Sequence, residues 1–363
     1  MLASNPDLCV ARWEVFRYRL PLRAPLTMLG ITFHERSGLF LKLEDAGGHC
    51  GWGEIAPLPG IHRESESDCL AALQQLAPDF SRRSPLSSVR FGVAQAQQML
   101  SGMAEGASPR SCVPQALESV QVNGLIPDTP SPLSEALETL AQHTQRLRKD
   151  GFSTVKIKVG RRPVLEDAER VRQAHRALGA RVALRADANR AWTWDEALEF
   201  ARGIQDLPLA YCEEPLQDPG RLEALHSRSG LPLALDESLW PTHSRDAPVP
   251  LPNGVKALIL KPGALGDGED LQFWIQQAQE HDAEVVFSST FESGLGMHGL
   301  ILLAAALSPH PAWAHGFDTH RFLAQDCVSP AFSLNANNAT VSETWPAVQE
   351  GHPAVQRVCG SPP

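Results

Sequence analysis

The sequence lacks a dense basic block, a long apolar run and any closely spaced pair of cysteines. Its 363 residues include 32 Lys or Arg and 42 Asp or Glu, for a formal net charge of −10. This balance argues against a nucleic acid or an anionic membrane as partner. No apolar segment approaches the roughly 20 residues that span a bilayer, and residues 1–20 carry charges where a signal peptide has an apolar core. We therefore expect no membrane insertion.

The seven cysteines are odd in number and scattered along the chain. No two of them form a Cys-x-x-Cys pair, so the sequence indicates neither a disulfide framework nor a zinc knuckle. Hydrophobic residues make up 43% and charged residues 20%, an ordinary balance for a globular protein. We expect a soluble, cytoplasmic protein with one large or two medium domains.

The N-terminal part, residues 1–118, has the pattern of a small α+β domain. Three strands and two helices are predicted there, at residues 12–20, 39–43, 49–54, 68–76 and 89–100. The polar, Gly-containing stretch at residues 21–36 is predicted to be a mobile loop. We expect this loop to close over the active site as a lid, with His34 and Arg36 as surface residues.

From residue 119 to residue 325, a short apolar strand followed by an amphipathic helix recurs. The residues that end successive strands are spaced 23 to 29 positions apart and are Lys158, Asp187, Glu213, Asp236, Lys261, Ser288 and Gly316. Together with a strand at Val120, these units predict an α/β fold, a modified TIM-type (β/α) barrel capped by the N-terminal domain. The tail, residues 326–363, is expected to pack back on the capping domain. The Pro-rich stretch 241–253 reads as a local insertion and is assigned no function.

Three successive strands end in one carboxylate each: Asp187, Glu213 and Asp236. Neighbouring strands lie about 4.8 Å apart, so the three charges would repel each other unless a cation lay among them. Each acid alone is explained as a cap of the following helix, but three in consecutive units favour a shared metal. An all-oxygen ligand set favours Mg²⁺, with Mn²⁺ as a substitute.

Two lysines, Lys156 and Lys158, share one face of the second barrel strand because alternate side chains of a strand point the same way. Their repulsion is expected to push one of them towards its neutral, basic form. Lys261 ends the sixth strand, opposite the second in an eight-stranded barrel. A substrate carboxylate held on Mg²⁺ would therefore have Lys158 on one face and Lys261 on the other, and Lys158 could remove a proton from the adjacent carbon.

The pattern resembles the enolase superfamily, in the branch of the muconate-lactonizing enzymes. The motifs that carry this resemblance are Lys156-Ile-Lys158, Arg185-Ala-Asp187-Ala-Asn189, Glu213-Glu214-Pro215, Leu235-Asp236-Glu237-Ser238 and Leu260-Lys261-Pro262. Within that branch the sequence is similar to the o-succinylbenzoate synthase family, in the stretches Gly51-Trp-Gly-Glu54, Val122-Asn-Gly124, Ser288-Ser-Thr-Phe-Glu-Ser-Gly-Leu-Gly296 and Gly316-Phe-Asp-Thr319.

This resemblance implies a Mg²⁺-dependent syn elimination of water from 2-succinyl-6-hydroxy-2,4-cyclohexadiene-1-carboxylate, a dicarboxylate, in menaquinone or phylloquinone biosynthesis. Lys158 would act as base and then acid, and Lys261 would stay protonated. Asp187, Glu213 and Asp236 would hold Mg²⁺, with Glu214 and Glu237 as hydrogen-bond partners of the ligands. The residues expected to bind substrate or support the site are Lys156, Arg185, Asn189, Ser288, Ser289 and Gly316. Arg185 would help to compensate the substrate's charge, and backbone N–H groups at the three last positions would meet a carboxylate.

Other functions remain open at this point. An N-acylamino acid racemase or a dipeptide epimerase would keep the same metal site and both lysines, so only the capping-domain motifs and those of the seventh and eighth strands separate them from the dehydratase. A barrel retained as a binding or structural protein is disfavoured because both lysines and all three acids are present. The sequence leaves monomer and homo-oligomer undecided.

Overall fold

The first three strands of the chain begin an antiparallel sheet, and the later ones build a ring of parallel strands. The computed structural model describes residues 8–28, 30–113, 115–128, 131–240, 250–308 and 310–361. Most of the predicted insertion, residues 241–249, lies outside the described residues. The strands are β1 (Arg12–Met28), β2 (Ile31–Glu44), β3 (Cys50–Ile55), β4 (Ser119–Val122), β5 (Gly124–Ile126), β6 (Thr154–Lys158), β7 (Ala183–Asp187), β8 (Leu209–Glu213), β9 (Leu233–Leu235), β10 (Val255–Leu260), β11 (Glu284–Phe287), β12 (Ala314–His315), β13 (Val328–Ser329), β14 (Asn338–Thr340), β15 (Ala347–Val348) and β16 (Val355–Gly360). The helices are α1 (Glu66–Leu76), α2 (Ser87–Ala104), α3 (Leu133–Lys149), α4 (Val164–Leu178), α5 (Trp194–Gly203), α6 (Leu222–Ser229), α7 (Pro262–Leu265), α8 (Gly268–Glu280) and α9 (Gly294–Leu307).

The capping domain is a four-stranded antiparallel sheet in the order β16-β1-β2-β3, covered by α1 and α2. The stretch 21–36 is not an irregular loop, because β1 and β2 continue through most of it as one long hairpin. Pairing is interrupted between Pro21 and Leu26 and then resumes at Leu26 opposite Phe33. A proline lacks the N–H that a ladder needs, which explains the interruption. The sequence pattern did not indicate that strand pairing resumes after the interruption.

The motif Gly51-Trp52-Gly53 brings β3 against α2. A Cβ atom built on Gly53 would lie 1.8 Å from the carbonyl oxygen of Gly92, and one on Gly51 would lie 2.1 Å from that of Ala96. Only glycine allows such an approach of strand and helix backbones. The glycines of this motif therefore serve packing within the capping domain.

The predicted barrel is confirmed. Strands β5 to β11 form a parallel sheet in chain order. The ring closes through β12: Gly316 N–H donates to the Phe287 carbonyl at 2.8 Å, and Asn123 N–H donates to the His315 carbonyl at 2.9 Å. The strands end at, or one residue before, each predicted strand-end residue. Inward-facing side chains fill the barrel below that end, namely Tyr211, Ala234, Ala257, Ile259 and Val286.

The last part of the chain contacts both the barrel and the cap. Strand β14 pairs antiparallel with β4, and β16 pairs antiparallel with β1. All seven cysteines are free thiols. No helix in the described ranges combines the length and the apolar character needed to cross a bilayer.

Candidate active site

A cavity of about 280 Å³ opens at the carboxyl ends of the barrel strands, between the barrel and the β1–β2 hairpin. Most of the site residues predicted from the sequence line it, namely Lys156, Lys158, Asp187, Asn189, Glu213, Asp236, Glu237, Lys261, Ser288, Ser289 and Gly316. Arg185 and Glu214 do not. The predicted residues that line the cavity lie at or near the ends of seven different strands. They meet in one place because the parallel strands of a barrel all end on the same side.

Three lysines and three carboxylates face each other in this cavity. Lys156 Nζ lies 2.9 Å from Asp187 and 3.3 Å from Glu213, and Lys158 Nζ lies 2.5 Å from Asp187. Lys261 pairs with Asp236. Strands β7, β8 and β9 separate β6 from β10 in the sheet, so Lys158 and Lys261 stand on opposite walls of the ring.

Burial and neighbouring charges give the three acids different pKa values. Burial raises the pKa of Asp187, but the ammonium groups of Lys156 and Lys158 outweigh burial and lower it overall. Burial and the charge of Asp187 raise the pKa of Glu213. Burial raises the pKa of Asp236 to about 6 against the opposing charge of Lys261. The pKa values of Asp187 and Glu213 are therefore shifted in opposite directions, although the two residues end neighbouring strands.

Lys156 and Lys158 share a counter-charge, the carboxylate of Asp187, which the sequence-based argument about their repulsion did not include. Burial lowers the pKa of Lys156, but the carboxylates of Asp187 and Glu213 outweigh burial and raise the pKa overall. Both ammonium groups contact Asp187. These carboxylates favour the charged form of Lys156, whereas the lysine expected to act as the base is Lys158.

The three acids offer a donor set that suits a hard divalent cation. Within the described part of the chain, no three His, Cys, Asp or Glu side chains are grouped closely enough to hold a metal as they stand. Among the described residues, Asp236 Oδ1 is nevertheless buried without a hydrogen-bond partner, and the two Glu213 oxygens accept from Lys156 at 3.3 and 3.5 Å. The unpartnered Asp236 oxygen and the weakly engaged Glu213 oxygens are of the kind that Mg²⁺ prefers as ligands.

Glu214 lies outside the cavity and supports the loop that carries Asp236. Its fully buried carboxylate accepts from the N–H groups of Asp236 at 3.0 Å and Ser238 at 2.6 Å. Arg190 Nε donates to the same carboxylate at 2.9 Å. Glu214 thus fixes the backbone of a candidate ligand, which is the kind of contact predicted for it.

Asn189 and Glu237 connect Lys158 to the next candidate ligand loop. Asn189 Oδ1 accepts from Lys158 Nζ at 2.8 Å, and its Nδ2 donates to Glu237 at 3.1 Å. Asn189 has a positive φ of 45°, a conformation that asparagine tolerates better than most residues. Glu237 lines the cavity, and its buried Oε2 has no hydrogen-bond partner in the part of the chain that the structure describes.

Arg185 points into the barrel below the cavity. Its guanidinium donates to Glu284 at 2.6 Å and to the Ala314 carbonyl at 2.7 Å, and it lies over the Tyr211 ring. Glu284 begins β11, at the opposite end of the barrel from the cavity. The positive charge of Arg185 is therefore compensated internally and does not face the site where a substrate would bind.

The backbone N–H groups expected to meet a substrate carboxylate are already engaged. Ser288 N–H donates to the Leu260 carbonyl, Ser289 N–H to the Gly316 carbonyl and Gly316 N–H to the Phe287 carbonyl. These bonds close the barrel ring, so the predicted backbone contact is wrong for these three groups. The side chains of Ser288 and Ser289 still line the cavity.

Comparison with known proteins assigns the family. Residues 138–347 match the family described as "Enolase C-terminal domain-like", which covers more than half of the chain. The chain belongs to the enolase superfamily. In this superfamily member, residues 10–100 also match the family described as "MenC, N-terminal domain". The family resemblance predicted from the sequence motifs is thereby confirmed.

Curated relatives of this superfamily member carry one recurring name. The o-succinylbenzoate synthase of Edwardsiella ictaluri is 32% identical, with 81% of this chain and 86% of the relative covered. The chloroplastic protein PHYLLO of Arabidopsis thaliana is 30% identical over 90% of this chain, which spans 22% of PHYLLO's length. The chain is accordingly an enzyme, and several of its relatives are named o-succinylbenzoate synthase.

Solved structures of other superfamily members share the fold. The dipeptide epimerase of Cytophaga hutchinsonii, solved with Mg and the dipeptide D-Ala-L-Val, matches with a TM-score of 0.78 at 19% identity, over 97% of this chain and 99% of the epimerase. At this identity the likeness establishes the fold alone.

Sequence reasoning missed several residues that line the cavity of this superfamily member. Leu26 and Met28 reach it from the β1–β2 hairpin, and Phe291 packs against Phe322 with ring centroids 5.7 Å apart. Arg161 lines it three positions after Lys158. Its place three positions after Lys158 is the signal that could have found Arg161. No local pattern, in contrast, reveals that a hairpin more than 100 residues away in sequence covers the same cavity.

Proposed function

We propose that this enzyme catalyses the Mg²⁺-dependent dehydration of 2-succinyl-6-hydroxy-2,4-cyclohexadiene-1-carboxylate to o-succinylbenzoate, in menaquinone or phylloquinone biosynthesis. The observation that carries the chemistry is the placement of Lys158 and Lys261 on opposite walls of one cavity, with three buried carboxylates between them. The match of residues 10–100 to the MenC N-terminal domain and the curated relatives support the choice of substrate.

Asp187, Glu213 and Asp236 are the residues that would hold Mg²⁺. When bound, the cation supplies positive charge that binds the ring carboxylate of the substrate and acidifies the carbon next to it. Glu214 contributes by holding the Asp236 backbone, and Asn189 by holding Lys158 through its side-chain oxygen. These contacts keep the candidate ligands and the candidate base in fixed relative positions.

Lys158 is the proposed base and acid. Its Nζ takes the proton from the ring carbon that bears the carboxylate, and the electron pair of that C–H bond enters the ring. As the C–O bond to the hydroxyl breaks, the same Nζ returns the proton, so that water leaves and the ring becomes aromatic. One side chain serves both transfers, which requires hydrogen and hydroxyl to leave from the same face.

Lys261 is the proposed electrostatic partner on the other face. Burial lowers its pKa, but the carboxylates of Asp236 and Glu237 outweigh burial and raise it overall. Its Nζ also lies 4.9 Å from the centre of the Trp240 ring, a cation–π distance. A lysine held protonated in this way stabilises negative charge that develops on the substrate carboxylate.

The test is direct conversion. Purified enzyme, the cyclohexadiene substrate and MgCl₂ are mixed, and formation of the aromatic product is followed by its absorbance. We expect turnover that chelation with EDTA abolishes and added Mg²⁺ restores. Absence of aromatic product at micromolar enzyme would contradict the proposal.

A second candidate is epimerisation of a dipeptide or racemisation of an N-acylamino acid. The two opposed lysines are compatible with it, because proton removal from one face and return from the other inverts a carbon centre. Parallel assays with N-succinylamino acids and with dipeptides, followed by polarimetry, distinguish the two. Inversion that exceeds the dehydration rate would favour this alternative.

A further inference from the structure

Arg161 differs from every other cation in the cavity. Four cationic side chains line the described part of it: Lys156, Lys158, Lys261 and Arg161. The three lysines each contact a carboxylate. Arg161 is exposed and has no ion-pair or hydrogen-bond partner among the described residues. It is therefore the one lining cation in that part of the chain whose charge is free to meet a ligand.

The backbone that carries Arg161 is held in place from below. The carbonyl of Lys158 accepts from Arg170 at 3.0 Å, and the N–H of Gly160 donates to Asp167 at 2.7 Å. Gly160 has a φ of 89°, and a Cβ there would lie 2.6 Å from Ala191, so this turn requires glycine. The chain therefore leaves β6 in a fixed direction.

Nearby acids cannot neutralise Arg161 because other arginines already use them. Asp128, which also lines the cavity, pairs with Arg162 at 2.8 Å and with Arg170 at 3.4 Å. Asp167 pairs with Arg170 at 2.9 Å. All four of these paired side chains are at most 8% exposed. These four side chains thus form a buried cluster whose charges are mutually compensated. Arg161 lies next to this cluster and lines the cavity.

The dehydration proposed above acts on a substrate with two carboxylates. The ring carboxylate belongs near the acids and lysines at the barrel centre, which leaves the carboxylate of the succinyl chain without a counter-charge. Arg185 pairs with Glu284, and the backbone N–H groups of Ser288, Ser289 and Gly316 are engaged in strand pairing. Leu125 and Pro127, from β5 and the residues after it, line the cavity beside β6 and offer apolar surface for the methylene groups of the chain.

We infer that Arg161 binds the succinyl carboxylate and sets the preference of the enzyme for a dicarboxylate. This assignment rests on the proposed dehydration and adds a specificity-determining residue to it. Guanidinium groups bind carboxylates with two parallel hydrogen bonds. Because the succinyl carboxylate takes no part in bond breaking, its contact with Arg161 contributes equally to binding of the substrate and of the transition state.

The test compares Arg161→Met, which removes the charge at similar length, with Arg161→Lys, which keeps a charge. Arg181→Met is the matched control, since Arg181 is also exposed, lies in the barrel and lines no part of the cavity. We expect Arg161→Met to raise KM for the cyclohexadiene substrate roughly tenfold with kcat within about twofold of wild type. Arg161→Lys should recover part of the loss, and Arg181→Met should match wild type.

A binding measurement separates this inference from the proposed reaction. Calorimetric titration with o-succinylbenzoate and with its derivative carrying a primary amide on the succinyl chain compares a dianion with a monoanion of the same size. We expect Arg161→Met to weaken binding of the dianion roughly tenfold and to leave binding of the monoanion unchanged. Equal loss for both ligands, or no loss relative to Arg181→Met, would overturn the role of Arg161. Failure of wild type to turn over the substrate would instead overturn the proposed reaction, and these titrations would still decide what Arg161 binds.

Discussion

At the scale of single residues, the charged side chains that line the cavity and those beneath it differ in their ion-pair partners. Arg185, Arg162 and Arg170 do not line the cavity, and each is paired with an acid. Lys156, Lys158 and Lys261 hold the carboxylates that would bind a metal. Asp236 retains one buried oxygen without a partner. Leaving a buried polar atom unpaired costs about 1–3 kcal/mol, so the site has unused capacity to bind a cation.

Asp236→Asn tests the metal assignment. The substitution keeps the shape of the side chain but removes a negative charge and one acceptor oxygen. Mutation of a residue that only hydrogen-bonds a metal ligand lowers metal affinity about 10–100-fold. Loss of a direct ligand should therefore weaken Mg²⁺ binding at least tenfold. Isothermal titration with MgCl₂ measures this, with the exposed Asp195→Asn as control. Unchanged affinity would remove Asp236 from the ligand set.

His315 gives the structure a pH-dependent contribution to stability. Its ring is buried, with Nδ1 accepting from Phe287 N–H at 3.1 Å. Burial and the nearby Arg185 lower its pKa to about 3, from the ordinary value of 6.5. The unfolded chain binds a proton there below pH 6.5, whereas the folded protein does not until about pH 3. The stability contribution is therefore complete above pH 6.5 and is lost as the pH falls through this window.

His315→Gln tests this pH dependence. Glutamine keeps an acceptor for Phe287 N–H but does not titrate. Between pH 6 and pH 4, the free energy of unfolding of wild type should fall relative to the variant by about 1.4 kcal/mol per pH unit. Urea unfolding at several pH values measures the difference. Parallel pH profiles for the two proteins would show that His315 is not the group responsible.

At the scale of secondary-structure elements, a carboxylate from β3 joins the capping domain to the barrel. Buried Glu54 accepts from Ser293 N–H at 3.0 Å, Ser293 Oγ at 2.6 Å and Gly296 N–H at 2.8 Å. These groups begin α9, where unpaired N–H groups and the helix dipole favour a negative charge. Tyr18 OH donates to the same carboxylate. The loop between β11 and α9 also carries Ser288 and Ser289, so this link fixes one wall of the cavity.

Glu54→Gln should destabilise the protein by about 1–3 kcal/mol, because a glutamine amide presents N–H groups to a site built of donors. Chemical denaturation measures this, with the exposed Glu199→Gln as matched control. We expect no such loss of unfolding free energy in Glu199→Gln. A free energy of unfolding equal to wild type would mean that the carboxylate does not stabilise the junction of the two domains.

The β1–β2 hairpin marks the limit of what local sequence patterns predict at this scale. The strand-end spacing predicted the barrel, because each βα unit repeats one local pattern. Arg36, in contrast, was expected at the surface and is 3% exposed. It donates to the carbonyls of Ala56, Pro57 and Phe291, which come from distant parts of the chain. Because these partners are backbone carbonyl groups, no acidic residue in the sequence indicates that Arg36 is buried.

At the scale of the whole molecule, an acidic chain brings four cationic side chains together at one cavity, beside six carboxylates. Its net charge is −10, whereas Lys156, Lys158, Lys261 and Arg161 meet at one opening. Motif spacing predicted the acids and lysines of this opening because each belongs to one strand end. Which cations are compensated depends on contacts such as Arg185 with Glu284, 99 positions apart, and such pairings follow only from the closed ring.

The measurement that tests the central claim most directly is the kcat of Lys158→Ala with the cyclohexadiene substrate. Lys256→Ala, at an exposed position of β10, is the control. If Lys158 moves the proton, kcat should fall at least roughly 100-fold, while the melting temperature and the affinity for o-succinylbenzoate stay close to those of wild type. A kcat within a few-fold of wild type would contradict the assignment of Lys158 as the base.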